Sequence, residues 1–191
     1  MKKVLFIDRD GTIIVEPEDE QIDSFEKFEF LPKAITNLSK IARELDYELV
    51  MVTNQDGLGT ESYPEDKFWP VQNKMLQILA GYGIVFKEIL IDRTFQHENA
   101  PTRKPNIGLL TNYTKTTVDI DNSFVIGDRL TDIQLAKNLG CKAIFISKGE
   151  IADASLTTSD WSEIYLFLKN RERIVRLSRN TSEIQHLQSI Y

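Results

Sequence analysis

The chain has 191 residues, 41% of them apolar and 27% charged, with a formal net charge of −6. That balance suits one cored domain with a short appendage and argues against a disordered chain. The acidic excess argues against nucleic acid as the main partner, because phosphate backbones recruit clustered Lys and Arg.

Taken in chain order, the first signal is Val4-Leu5-Phe6-Ile7, an apolar run that meets a charge at Asp8. The run is far short of a signal-peptide core or a membrane span, so a cytoplasmic protein without membrane contact is expected. Its continuity reads as a strand buried on both faces. Pro32 sits where a first-turn proline opens a helix, and Ala34, Ile35, Leu38, Ile41, Ala42 and Leu45 follow as one stripe. Leu49 to Thr53 reads as a second strand. Residues 64–80 have a helical pattern that Pro70 is expected to kink or interrupt. Ile89 to Ile91 belongs to a third strand, and residues 92–105 form a polar loop without periodicity. Phe124 to Ile126 reads as a fourth strand. Ile133, Leu135, Ala136 and Leu139 then mark a helix ended by Gly140. Cys141, the single cysteine, excludes an internal disulfide and reads as a small buried hydrophobe. Ala143 to Ile146 is a fifth strand, and Trp161, Ile164, Tyr165 and Leu168 predict a last helix. A domain over residues 1–170 is expected, followed by a basic tail at 171–191 with no clear helical stripe.

Strand–helix alternation of this kind implies an α/β fold, a parallel sheet with helices on both faces. Ligands in such sheets bind beyond the carboxyl ends of the strands. Asp8-Arg9-Asp10-Gly11-Thr12 follows the first strand and Thr53-Asn54-Gln55-Asp56-Gly57 ends the second. Arg103-Lys104-Pro105 closes the loop after the third, and Gly127-Asp128-Arg129-Leu130-Thr131-Asp132 ends the fourth. Each group taken alone has a bland reading as a turn, a helix cap or a solvated loop. Together, and in this order, they suit phosphoryl transfer. Asp8 and Asp128 on neighbouring strand ends repel without a cation, and hard carboxylate ligands suit Mg²⁺. A carboxylate can itself attack phosphorus, and Asp10, two residues on, can exchange a proton with the leaving oxygen. Gly11 permits a tight turn with N–H groups toward phosphate. Thr53 and Asn54 add a hydroxyl and an amide, and Lys104 adds a positive charge.

These residues resemble the motifs of the haloacid dehalogenase superfamily of phosphohydrolases. The first motif corresponds to Val4 to Thr12, the second to Thr53, the third to Lys104, and the fourth to Gly127, Asp128 and Asp132. The resemblance covers about residues 1–150 and implies a Rossmannoid three-layer sandwich with a minimal cap or none. It implies Asp8 as nucleophile, Asp10 as general acid and base, and Mg²⁺ held by Asp8, the Asp10 carbonyl and Asp128, with Asp132 ordering metal-bound water. Arg9, Gly11, Thr53, Asn54, Arg103 and Lys104 are expected on the phosphate or substrate. Phe6 to Thr12, Thr53 to Thr60, Arg103 to Pro105 and Val125 to Arg129 are similar to the histidinol-phosphate phosphatase domain of bifunctional histidine-biosynthesis enzymes. Heptose-bisphosphate phosphatases, the alternative, usually carry Ser and an Ile-Ala-Arg-Gly type run where this chain has Asp56 to Thr60.

Many members of both groups carry a zinc-binding Cys/His loop before the Arg-Lys-Pro motif. Residues 92–102 contain one histidine, His97, and no cysteine, so no zinc is expected. Glu16, Glu18, Asp19, Glu20 and Asp23 follow the catalytic turn where the family has a flap, and Glu16 is the first choice for contact with a cationic substrate. Residues 171–183 resemble the start of the dehydratase domain of the bifunctional enzymes. That tail is expected to fray or to pair with another copy of the chain, giving a homo-oligomer.

Overall fold

The computed structural model of the chain describes residues 1–113, 116–149 and 153–188, by backbone alone at 175, 176 and 178–188. Its strands are β1 (Lys3–Ile7), β2 (Tyr47–Asn54), β3 (Glu88–Asp92), β4 (Phe124–Gly127), β5 (Lys142–Ile146) and β6 (Leu156–Thr158). The helices are α1 (Ala34–Glu44), α2 (Glu65–Gly81), α3 (Leu130–Leu139) and α4 (Trp161–Gln188). All strands run parallel in one sheet ordered β3-β2-β1-β4-β5-β6.

The apolar runs are continuous because both faces of the sheet are covered. Leu5, Ile7, Leu49, Met51, Ile126 and Ile144 pack with buried residues of α1, α2 and α4. Their neighbours Val4, Phe6, Val50, Val52, Val125 and Phe145 point the other way, onto Ile133, Leu135 and Ala136 of α3 and onto Leu110, Tyr113 and Ile120. Burying each such side chain is worth about 1.5–3 kcal/mol. The result is the expected three-layer sandwich. The connection from β1 to α1 carries only isolated bridges, Asp10 with Ile14 and Ile14 with Phe30, and no inserted domain. The chain leaves β1 for β2 on one side, and β4 lies on the other. The crevice between the ends of β1 and β4 is therefore the switch point where ligands bind in such sheets.

Three expectations change in detail. α1 begins at Ala34, one residue beyond Lys33, which has a φ of +65°, so Pro32 lies ahead of the helix rather than in its first turn. α2 runs unbroken through Pro70. Both Pro70 and Asp66, whose carbonyl loses its helical donor, are exposed, so water can take the place of the missing N–H. β6 was not anticipated, because three residues are too few to show a period.

α4 continues as helix past residue 170 to Gln188, through a segment whose sequence shows no clear helical stripe. Glu172 is 5% exposed. Its Oε1 accepts from Lys3 Nζ and, at 2.8 Å, from the backbone N–H of Asp46. Among the described residues the buried apolar stripe of α4 ends at Leu168, and one turn later a buried ion pair continues the contact. Glu172→Ala should therefore cost about 3 kcal/mol, the usual cost of breaking a buried pair. Urea unfolding of the variant checks this cost.

Candidate active site

β1 ends at Ile7, and Asp8 still donates its backbone N–H to Ile126 of β4 at 2.9 Å. The chain then turns. The N–H groups of Thr12, Ile13 and Ile14 all point to the Arg9 carbonyl, at 3.4, 2.8 and 3.2 Å. Gly11 has a φ of +66°, and a Cβ there would lie 2.1 Å from Asp128 Oδ2. Only glycine allows the two loops to meet so closely. The buried Trp161 donates Nε1–H to the Thr12 carbonyl at 2.9 Å, tying the start of α4 to this turn.

Asp8 is 6% exposed. Its Oδ1 accepts the Arg9 N–H at 2.7 Å and lies 2.8 Å from Lys104 Nζ. Lys104 Nζ also donates to Asp132 Oδ1 at 2.8 Å. Burial opposes the charge on Lys104, but Asp132 and Asp8 outweigh it and hold the pKa above the ordinary lysine value. Asp132 Oδ2 accepts the Arg129 N–H at 3.1 Å at the start of α3, so both oxygens of Asp132 are engaged. Asn54 and the Lys104 peptide bond each other reciprocally, at 3.0 and 3.3 Å, which joins the end of β2 to the Lys104 loop.

Carboxylate oxygens of Asp8, Asp128 and Asp132 lie within 4.8 Å of one another. Among the described residues this is the one such group of three or more potential metal ligands. Burial, then Asp8 and Asp132, push the Asp128 carboxyl up to about 7. Burial pushes Asp132 up to about 6 against the pull of Lys104. Three close carboxylates facing one lysine are short of positive charge, and hard oxygen donors match a small divalent cation. The residues present therefore fit Mg²⁺.

A pH dependence follows for the metal-free protein. The pKa of Asp128 is raised on folding, so its contribution to stability is full below about 3.8 and is lost as pH rises through about 7. In EDTA, urea midpoints should fall across that window relative to Asp128→Asn, and added Mg²⁺ should remove the difference. Parallel curves for the two proteins in EDTA would contradict this electrostatic picture.

Asp8, Asp10, Thr53, Lys104, Arg103 and Glu16 face one cavity of about 790 Å³, which Asn54 and Asp128 also line. Glu16 Oε1 accepts from Arg129, also in the cavity lining, at 2.7 Å, and burial pushes its carboxyl above the usual range. Arg103 is bonded to both Asp56 oxygens, at 2.5 and 3.1 Å, and to the Thr94 carbonyl at 2.6 Å. Arg9 corrects its expected role. Its side chain is buried, lies over the Phe68 ring and bonds Asp10, so it does not face the cavity.

Three residues without an assigned role in the sequence reading sit in the structure's contacts: Gln55 on Asp10, Asp56 on Arg103, and Asp92 within the loop before Lys104. Asp92 is 3% exposed. Its Oδ1 accepts Thr94 N–H at 2.9 Å and its Oδ2 accepts Thr102 Oγ1–H at 2.5 Å. One carboxylate thus ties together the two ends of the loop of residues 94–102.

The same fold occurs in a D,D-heptose 1,7-bisphosphate phosphatase from B. bronchiseptica, described as complexed with magnesium and phosphate. The TM-score is 0.76 at 22% identity, covering 88% of this chain and 99% of that one. A putative HAD-like phosphatase from Mesorhizobium loti aligns with a TM-score of 0.70 at 24% identity, over 88% of this chain and 85% of that one. At these identities the likeness shows a shared fold. More narrowly, the family model described as polynucleotide kinase 3 phosphatase matches residues 3–162, and the chain belongs to that family. It is similar to the histidine biosynthesis bifunctional protein HisB of Spirosoma linguale, 52% identical over 97% of this chain and 53% of that protein. The bifunctional protein HisB of Bacteroides fragilis is also 52% identical, over 95% of this chain and 51% of that protein. The chain thus spans about half the length of these curated relatives.

Proposed function

We propose that the chain hydrolyses histidinol phosphate, a small phosphate monoester, through an aspartyl-phosphate formed on Asp8. The observation that carries this reading is the convergence of Asp8, Asp10 and Lys104 in the lining of one cavity, with Asp8 Oδ1 2.8 Å from the lysine. In the first step an Asp8 oxygen bonds phosphorus while the bond to the leaving oxygen breaks. Asp10 gives its proton to that oxygen. In the second step water attacks phosphorus, Asp10 takes its proton, and the acyl phosphate bond breaks to free phosphate and Asp8. Lys104 balances charge near the attacking carboxylate, and Thr53 offers its hydroxyl to a phosphate oxygen. Asp8, Asp128 and the Asp10 carbonyl would hold Mg²⁺, which neutralises phosphate charge and aligns it for in-line attack.

The substrate assignment rests on charge. Glu16, Asp19, Glu20 and Asp56 line the cavity, with Glu16 and Glu20 paired to Arg129, Asp56 to Arg103 and Asp19 to Lys27. Four carboxylates against the two arginines of the same lining, Arg103 and Arg129, leave an acidic excess that suits the amine and imidazole of histidinol phosphate better than the second phosphate of a heptose bisphosphate. The 52% identity to proteins named for histidine biosynthesis points the same way. A phosphate-release screen across phosphorylated metabolites with Mg²⁺ tests it. Histidinol phosphate should lead, and a screen led by a sugar bisphosphate would refute the assignment. Glu16→Gln should raise KM for histidinol phosphate roughly fivefold, about 1 kcal/mol, and leave KM for an uncharged aryl phosphate nearly unchanged. Equal effects on both substrates would remove Glu16 from the recognition site.

A further inference from the structure

Gln55 lies just past the end of β2 and is 2% exposed. Its backbone is pinned, with its N–H donating to the Asp92 carbonyl at 2.7 Å and its carbonyl accepting Leu58 N–H at 3.1 Å. Its side-chain amide reaches inward and donates to two residues of the site, Asp10 Oδ2 at 2.6 Å and Thr53 Oγ1 at 2.9 Å. The other Asp10 oxygen, Oδ1, accepts Arg9 Nε–H at 2.7 Å. Arg9 is itself held from α2, by Gln72 Oε1 at 3.2 Å and by the Phe68 ring at 4.8 Å. Asp10 is therefore gripped on both oxygens by groups whose own positions are set by β2 and α2.

We infer that Gln55 is a positioning residue for proton transfer, fixing the orientation from which Asp10 serves the leaving oxygen. A free carboxylate rotates broadly about its last torsion, and donors on both oxygens remove that freedom. Each carboxylate oxygen has two lone-pair sites, so one hydrogen bond on each leaves a site for the transferred proton. Gln55 suits the task chemically. Its amide donates without adding charge beside the phosphoryl group, and it does not titrate, so the grip persists through both steps. The shared bond to Thr53 keeps Asp10 in register with a neighbour expected to contact phosphate.

This inference rests on the phosphatase reading, and the test separates the two. The parameter is kcat/KM, which reports steps through the first phosphoryl transfer. Two substrates are compared, histidinol phosphate, whose alkoxide leaves only with a proton, and p-nitrophenyl phosphate, whose phenolate leaves without one. Gln55→Leu should lower kcat/KM for the alkyl ester roughly 100-fold, in the range of general acid catalysis, and for the aryl ester less than about fivefold. Equal losses on both substrates, or no loss on either, overturns the positioning role while the phosphatase reading stands. A wild-type protein that turns over neither substrate overturns both. Circular dichroism monitors folding. Should the leucine variant not fold, Gln55→Glu keeps the side-chain size and sets a carboxylate against Asp10, and the same contrast between substrates is expected.

Discussion

Asp8→Asn should abolish turnover, by roughly 10⁴-fold or more, while the protein stays folded. An amide cannot attack phosphorus, so no residual covalent route remains. Folding should survive because asparagine keeps an Oδ1 to accept both the Arg9 N–H and the Lys104 Nζ–H, bonds that Asp8 Oδ1 now receives at 2.7 and 2.8 Å. The change also removes one of three negative charges from a group packed within 4.8 Å. Loss of that repulsion should hold or raise the melting temperature in the absence of metal. Phosphate release and thermal melts measure the two halves. Near-normal activity in this variant would sink the covalent mechanism, and an unfolded variant would contradict the packing described for Asp8.

Lys104→Met should have the second largest effect, and it should strike stability as well as turnover. The ammonium is buried between Asp8 and Asp132, 2.8 Å from each. Its removal leaves two buried carboxylates facing each other, and breaking a buried pair in this way costs about 3–5 kcal/mol. Turnover should fall roughly 10²–10³-fold, the scale of losing a charge that stabilises the transition state. The double variant Lys104→Met/Asp132→Asn separates the two effects. Removing the stranded charge at Asp132 should recover most of the lost stability and little of the activity. Recovery of both would mean that Lys104 matters only as a counter-ion for Asp132.

Much of the fold is legible in the sequence because its signals are local. Val4 to Ile7, Leu49 to Thr53 and Phe124 to Ile126 are continuous apolar runs, which require a sheet covered on both faces. Each run ends in residues suited to phosphate chemistry, and parallel order brings those ends to one edge. Asp8, Asp10, Thr53, Lys104 and Asp128 do share one cavity. Where the sequence reading missed, it relied on a period that was too short or absent. β6 has three residues, and α4 continues past Leu168 through a polar contact that no apolar stripe reveals.

The tertiary structure alone decides which polar group each functional side chain meets. Gln55 reaches Asp10 from 45 residues away, and Lys104 meets Asp132 across 28. Arg9 shows the limit most clearly. The family resemblance puts it on the phosphate or substrate, yet its long side chain turns back into the space beneath α2, onto Phe68 and Gln72. Strand periodicity sets the face on which a side chain begins, but beyond the strand end the turn at Gly11 and the packing of α2 determine where it goes. Residue types and their order therefore specify the chemistry available at the strand ends. Burial and hydrogen bonding between distant segments determine which of those groups are presented to a substrate and which hold the others in place.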